Sequence, residues 1–131
     1  MSTIEAQTNE TITNGINSLL LKCFAAADKA GWWTNLETGE PLQRNKLEML
    51  ALIHSEVSEA LEGVRKDCMD DHLPHRKMEE VEMADTVIRI ADYCGGHGLD
   101  LAGAILEKLE YNKHRADHKM VNRLKPDGKK A

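Results

Sequence analysis

Apolar side chains recur at steps of three and four residues along most of this 131-residue chain. That period places them on one face of an α-helix, whereas the period-two alternation of a half-buried strand is absent. Turn-forming residues interrupt the pattern at Gly31, Pro41, Pro74 and Gly95. The pattern therefore predicts an all-α fold that resembles a four-helix bundle. Its predicted helices cover about residues 11–30, 43–65, 77–93 and 100–118.

The length of the chain bounds its domain organisation. With 131 residues, 41% of them hydrophobic, it has room for one domain with a core and little more. We expect a single helical domain at 11–119, a disordered N-terminus at 1–10 and a basic C-terminal tail at 120–131. Because the core of so few helices is small, burying all their apolar stripes calls for a second copy of the chain. We therefore expect an oligomeric core.

The net charge and the hydropathy of the chain argue against nucleic acid and membranes as partners. The formal net charge of −5 argues against nucleic acid, for which a basic face supplies most of the affinity. No run of eighteen apolar residues is present, so we expect no membrane span, and the first ten residues lack the layout of a signal peptide. These features predict a cytoplasmic protein. Its cysteines are expected to be free thiols, since none forms a CxxC pair; they are Cys23, Cys68 and Cys94.

Two pairs of acidic residues stand out because they fall on or beside apolar helix faces. Glu56 and Glu59 lie three residues apart in the second predicted helix, as Glu82 and Asp85 do in the third. This step separates two side chains by about 60° around the helix axis, so each pair shares a face. Glu56 and Asp85 fall within the apolar stripes, and Glu59 and Glu82 fall towards their edges. Carboxylates directed at a core are costly unless they are paired or bind a cation, which predicts a metal site.

Oxygen ligands favour Mg²⁺, with Mn²⁺ or Ca²⁺ as hard alternatives, over zinc. A di-iron bundle would require a Glu-x-x-His step, and no histidine here has a glutamate three residues before it. Two other interpretations stay open. In the first, the acids are solvated surface residues. In the second, they form buried salt bridges with Arg89 or Lys108.

A stripe of cationic and polar side chains follows the apolar face of the fourth predicted helix. Arginine and lysine bind phosphate oxygens, and asparagine donates hydrogen bonds to them or to a base. A solvated helix end, where cations complement the macrodipole, is the alternative. The members of the stripe all fall within about 60° of Lys108 around the helix axis and are Lys108, Tyr111, Asn112, Arg115 and Lys119.

Two further sets of side chains are candidates for ligand contacts. Trp32 and Trp33 lie in a predicted loop, where one of them is expected either to stack on a nucleobase or to pack against the protein. His114 and His118 have a helical spacing compatible with zinc, but no third ligand accompanies them. The tryptophans therefore remain candidates for substrate binding, and zinc is not expected.

Three segments together resemble the MazG-like nucleoside triphosphate pyrophosphohydrolases. Leu50–Glu62 resembles the ExxE helix of that family, and Glu82–Asp85 resembles its ExxD helix. Glu107–Arg115 resembles the helix that carries Lys-x-x-x-Asn-x-x-Arg. The loop Gly31-Trp32-Trp33 and the tail Gly128-Lys129-Lys130 are similar to a small single-domain branch. The resemblance covers roughly residues 31 to 130.

The resemblance implies an all-α, MazG-type fold that assembles as a homodimer or a dimer of dimers. It implies an enzyme that hydrolyses a ribo- or deoxyribonucleoside triphosphate to the monophosphate and pyrophosphate, by attack of water on the α-phosphorus. Apart from the resemblance, an acid that the metal does not fully engage is needed to take the proton of that water, and we expect Glu59 to do so. The implied Mg²⁺ ligands are Glu56, Glu59, Glu82 and Asp85, and the implied phosphate or sugar contacts are Lys108, Asn112 and Arg115.

One departure from the family concerns the end of the fourth helix. The family often continues Asn-x-x-Arg-Pro, whereas Arg115 is followed here by Ala116. The helix is therefore expected to run on past Arg115.

Two other functions are compatible with the sequence. A helical nucleotide or ppGpp sensor would keep the pocket without turnover, and a structural dimerising bundle would use its buried acids only for salt bridges.

Overall fold

A computed structural model describes all 131 residues, and every regular element in it is helical. The all-α prediction is confirmed. A single 3₁₀ turn, Ala116–His118, lies between the last two helices. None of the helices combines the length and the apolar composition that crossing a membrane requires. The helices are α1 (Thr3–Lys29), α2 (Lys46–Lys66), α3 (Met78–Gly96), α4 (Leu101–His114) and α5 (Met120–Arg123).

The structure corrects the two ends of the predicted domain. Helix α1 begins at Thr3, so most of the segment expected to be disordered is helical. The Ser2 hydroxyl accepts a hydrogen bond from the backbone N–H of Glu5 and so caps the helix. The first turns contain no glycine or proline that would interrupt it. A polar helix extension needs no apolar period, which is why the sequence pattern missed it. The tail is also partly helical, because it contains α5.

Helix α4 ends earlier than the sequence predicted. His114 is its last residue, and Arg115 has an extended backbone (φ −67°, ψ 132°). The Arg115 guanidinium donates to both carboxylate oxygens of Asp117, at 3.0 and 2.6 Å. This local ion pair accompanies the 3₁₀ turn that replaces further α-helix, so the expected continuation past Arg115 is wrong.

Helices α2 and α3 form an antiparallel hairpin. Gly63 near the end of α2 faces Met78 at the start of α3, while Glu56, two turns earlier, reaches Arg89. A Cβ on Gly63 would approach the Met78 side chain to 3.0 Å, so glycine lets the two helices meet closely. Asn45 caps the start of α2 by accepting hydrogen bonds from the next turn. Capping and close packing therefore hold the two acid-bearing helices together.

The chain forms two compact units, one of residues 18–99 and one of residues 1–17 with 100–131. The first has a small core to which α1, α2 and α3 each contribute. In the second, Ala102 is the fully buried apolar residue. Many large apolar side chains stay exposed, so the buried core is small, as the sequence predicted. The buried apolar residues of the first unit are Leu20, Cys23, Met49, Ala60, Ala91 and Cys94.

Candidate functional site

Three glutamates meet between α2 and α3. Carboxylate oxygens of Glu56, Glu59 and Glu82 all lie within 4.8 Å of one another. Glu56 and Glu82 are buried, Glu59 is exposed, and Asp85 is half-buried one turn along α3. The hairpin therefore brings the two predicted acid pairs together. Glu82 is more buried, and Asp85 less, than their helical angles indicated, because the direction in which two helices pack is a tertiary property.

Crowding changes the acidity of the cluster. Burial, together with the neighbouring Glu56 and Glu59 carboxyl groups, raises the pKa of Glu82 from 4.5 to about 7. Burial and the charge of Glu56 also raise the pKa of Asp85, against the opposing effect of Arg89. Each of these carboxylates is thus disfavoured in its charged form, and a cation placed among them would be favoured.

One basic side chain, that of Arg89, contacts the acid cluster. The Arg89 side chain on α3 donates from its Nε to Glu56, so the salt bridge considered from the sequence is present for Glu56. Arg89 is the only basic side chain that forms an ion pair with any of the four acids. The other predicted partner, Lys108, belongs to the other compact unit. One arginine does not balance four carboxyl groups, as the raised pKa of Glu82 shows.

The donor set fits a hard divalent cation. All the converging groups are carboxylates, and Mg²⁺ or Mn²⁺ prefers oxygen donors of this kind. No histidine or cysteine belongs to the cluster, so zinc is not favoured. His114 and His118, considered above for zinc, also lose their helical spacing, because α4 ends between them. The residues present therefore fit the cation that the sequence predicted.

A cavity of about 450 Å³ opens beside the acids, within the size range of small-molecule sites. Apolar side chains from both helices form part of its wall, and two arginines face it. A second cavity, of about 610 Å³, lies on the side of Glu59 and Glu82. Five of its eleven lining residues are acidic against one lysine, so it would repel an uncomplexed phosphate chain. The first cavity is lined by Trp32, Arg44, Met49, Leu52, Glu56, Asp85, Ile88, Arg89 and Asp92.

The two tryptophans have different environments. Trp33 packs edge-on against Phe24 and His97, and its indole N–H donates to Asp92 at 2.8 Å. A Cβ at Gly96 would overlap the Trp33 ring, so the glycine makes room for it. Trp33 therefore anchors the loop to α3. Trp32 is 64% exposed and lines the cavity, which leaves it as the tryptophan able to meet a ligand.

Arg44 and Asp92 were not predicted as site residues. Arg44 lies just before α2, and its guanidinium forms an ion pair with Asp92 on α3 at 3.1 Å. Asp92 follows Asp85 by seven residues, which is two helical turns, and that spacing was a signal available in the sequence. Arg44 falls at the start of the predicted second helix, but the structure begins α2 only at Lys46, and the apolar period did not mark Arg44 as a site residue.

The predicted phosphate contacts lie in the other compact unit. Lys108 places its ammonium 4.5 Å from the centre of the Tyr111 ring, and Arg115 is paired with Asp117. The side-chain oxygen of Asn112 is buried without a hydrogen-bond partner. The structure thus groups these side chains on and just after α4, apart in the chain from the acids.

Comparison with known proteins found no match to this chain. No protein-family model matches the chain, and no curated protein or solved structure matches it either. The class that the fold and the site define is therefore an all-α protein with a crowded carboxylate cluster beside a cavity of ligand size.

Proposed function

We propose that the protein is a Mg²⁺-dependent hydrolase of ribo- or deoxyribonucleoside triphosphates that releases the monophosphate and pyrophosphate. The observation that carries this proposal is the convergence of three glutamates within 4.8 Å beside a cavity of about 450 Å³. Such a reaction needs a metal to neutralise phosphate charge and an adjacent place for the nucleoside. The resemblance of the acid-bearing helices to MazG-like enzymes supports the same reaction. Its role would be to control or cleanse the nucleotide pool of the cytoplasm.

The four acids would hold the ion, with Mn²⁺ as a substitute for Mg²⁺; they are Glu56, Glu59, Glu82 and Asp85. A divalent ion there offsets phosphate charge and makes water more acidic. Glu59 is the exposed member of the glutamate cluster. It is therefore the carboxylate best placed to accept the proton of a water that attacks the α-phosphorus.

The nucleoside would occupy the cavity beside Glu56 and Asp85. Its wall combines apolar side chains with the exposed ring of Trp32, a surface suited to stacking with a base. The opposite cavity, rich in acids, suits a nucleoside triphosphate less. Lys108, Asn112 and Arg115 are proposed to contact phosphates or sugar on the strength of the family resemblance.

We also propose that the functional form is a homo-oligomer. An apolar stripe runs along α2 on a face distinct from that packed against α3, and its side chains are 41% to 77% exposed. The stripe consists of Leu47, Leu50, Val57, Leu61 and Val64.

We expect Leu61→Glu to reduce the molar mass measured by light scattering to that of a smaller species. The matched change Lys66→Glu, at the exposed end of the same helix, would leave the mass unchanged; an unchanged mass in both variants would contradict the stripe as an interface.

A non-catalytic nucleotide-binding module is the second candidate. The Glu56–Arg89 ion pair favours it, because a carboxylate already engaged by an arginine contributes less to holding a metal. Such a module would bind a nucleotide in the same cavity without hydrolysing it.

The deciding experiment is chromatography of the products after incubation with each common NTP and dNTP, with Mg²⁺ or with EDTA. Monophosphate and pyrophosphate that appear only with the metal would support the proposal. Diphosphate and phosphate would mean cleavage at the terminal phosphorus and would overturn it. Binding of a nucleotide without any product would favour the second candidate.

A further inference from the structure

One end of the cavity beside the acids is built around Asp92. This carboxylate is buried, and its two oxygens accept hydrogen bonds from different partners. Oδ1 accepts from the Trp33 indole at 2.8 Å, and Oδ2 accepts from Arg44 at 3.1 Å. The Arg44 guanidinium also lies against both tryptophan rings, 5.2 Å from the centre of Trp33 and 6.0 Å from that of Trp32. Arg44 is therefore held in one position by a charge and by two aromatic faces.

The hydrogen-bonding capacity of Arg44 is mostly unused. A guanidinium carries five N–H donors and no acceptor, and the hydrogen bond to Asp92 is the only one that Arg44 makes. Its side chain is 15% exposed, and it lines the cavity. Its remaining donors have no hydrogen-bond partner in the protein, and the side chain lines the cavity together with Trp32.

The polar groups at this end of the cavity that have no protein partner are mainly the N–H donors of the two arginines. Both oxygens of Asp92 are already engaged, and Arg89, the other arginine of the cavity, is also donor-only. The remaining acceptors of the wall, Glu56 and Asp85, are assigned above to the metal. A base that presents carbonyl or ring-nitrogen acceptors would be satisfied here, whereas an exocyclic amine would face donors.

We propose that Arg44 is a specificity-determining residue that selects 6-oxopurine nucleotides, of the guanine and hypoxanthine type, over adenine nucleotides. The O6 and N7 atoms of a 6-oxopurine form the adjacent pair of acceptors that an arginine fork binds with two hydrogen bonds. Adenine replaces O6 by an amino group, which would be left opposite the guanidinium. This inference rests on the proposed function for the placement of the nucleoside in the cavity.

Matched substrates isolate the atom in question. dITP and dATP differ at position 6 of the purine and in the proton that the 6-oxo form carries on N1, and dGTP differs from dITP by the 2-amino group. We expect kcat/KM for dITP and dGTP to be similar, and both to exceed that for dATP by roughly ten- to a hundredfold, the discrimination of one bidentate pair. In Arg44→Met the ratio of dITP to dATP should fall to within about threefold of one, since the donors are gone.

Two further variants keep the experiment decisive. Arg44→Lys retains a positive charge beside Asp92 but lacks the planar fork, so it should fold and still lose most of the preference. Arg76→Met is the control, because Arg76 is an exposed arginine paired with Glu80 away from this cavity, and it should retain the wild-type ratio. Thermal melting of each variant shows that it is folded.

The outcomes separate this inference from the proposed function. A wild-type ratio near one, or an equal loss for dITP and dATP in both Arg44 variants, would overturn base selection and indicate a phosphate contact. Titration calorimetry with dIMP and dAMP in Mg²⁺ tests the preference without turnover. Preferred binding of dIMP with no hydrolysis of any triphosphate would sink the proposed function and support Arg44 as the selecting residue, whereas binding of neither nucleotide would overturn both.

Discussion

The acids between α2 and α3 and the cations on and after α4 are both charged groups, but they differ in how their charge is balanced. Around Glu82 three carboxyl groups crowd together, and Arg89 is their only ion-pair partner. Near α4, by contrast, two cations have local acidic partners: Lys113 pairs with Glu110, and Arg115 pairs with Asp117. Lys108 forms no ion pair and lies against the Tyr111 ring.

This difference shows in the pKa values of the carboxyl groups. The pKa of Glu82 rises to about 7 because burial and like charges oppose its ionisation. The Arg115 guanidinium instead holds the pKa of Asp117 below its usual value. Crowded carboxyl groups are relieved by binding a proton or a cation, whereas a carboxylate already paired with a local cation gains less from either. The acids are thus the stronger candidate for a ligand site, and each prediction below tests one side of this comparison.

The largest effect is expected for Glu59→Gln. If Glu59 accepts the proton of the attacking water and helps to hold the metal, kcat should fall by roughly a thousandfold. The protein should stay folded, because Glu59 is exposed. Glu62→Gln is the matched control, since Glu62 lies one turn along α2 and pairs with Arg65 and Lys66. Initial rates of pyrophosphate release measure both variants, and full activity of Glu59→Gln would rule out its catalytic role.

The next largest effect is expected on the free energy of unfolding when Mg²⁺ is added. At pH 8, Mg²⁺ at a hundred times its Kd should increase the free energy of unfolding by about 2.7 kcal/mol. Asp85→Asn should reduce that increase by weakening the site. Urea unfolding with and without Mg²⁺ measures it. An equal response of wild type and Asp85→Asn would show that the ion acts elsewhere.

Glu82→Gln should change how stability depends on pH. The pKa of Glu82 is raised from 4.5 to about 7, so between these values the folded state binds more protons than the unfolded state. Without metal, stability should therefore fall as pH rises through that window, by about 1–3 kcal/mol in all.

Glutamine cannot ionise, so Glu82→Gln should remove that slope and be the more stable protein at pH 8 in EDTA. Unfolding by urea at pH 5 and pH 8 provides the comparison. Glu79→Gln, an exposed position in the first turn of the same helix, should keep the slope of the wild type. A slope that persists in Glu82→Gln would mean that another group is responsible.

The smallest effect is expected on the cationic side. Arg115→Met should lower kcat/KM by about tenfold if Arg115 leaves Asp117 to contact a phosphate in the complex. Lys113→Met is the control, because Lys113 is exposed and pairs with Glu5 and Glu110. Equal kinetics in the two variants would place the α4 cations among ordinary surface charges.

Much of the fold followed from the sequence, because local chemistry decides where helices begin and end. Asn45 and Asp100 act as caps through their own side chains, so α2 and α4 start close to the predicted residues. The start of α1 and the end of α4 were mispredicted, since neither a polar helix extension nor the Arg115–Asp117 pair has an apolar period.

The candidate site was predictable only in part. The spacing of Glu56 and Glu59 placed two acids on one helix face, and the structure agrees with that. The loop offered no pattern from which to choose between Trp32 and Trp33. Their roles differ because Asp92, 59 residues along the chain from Trp33, accepts a hydrogen bond from one indole and leaves the other exposed.

The sequence by itself determined the helical class, the pairing of acids within each helix and the carboxylate chemistry of the cluster, because these depend on residue identities and on spacings of a few residues. Only the tertiary structure decided that Glu82 is buried with Glu56, that Arg89 pairs with Glu56, and that Arg44 meets Asp92. Those relations depend on the rotation of α2 and α3 about their own axes, which decides which side chains face the other helix. That rotation is set by close packing, such as the contact of Gly63 with Met78, and no local spacing encodes it.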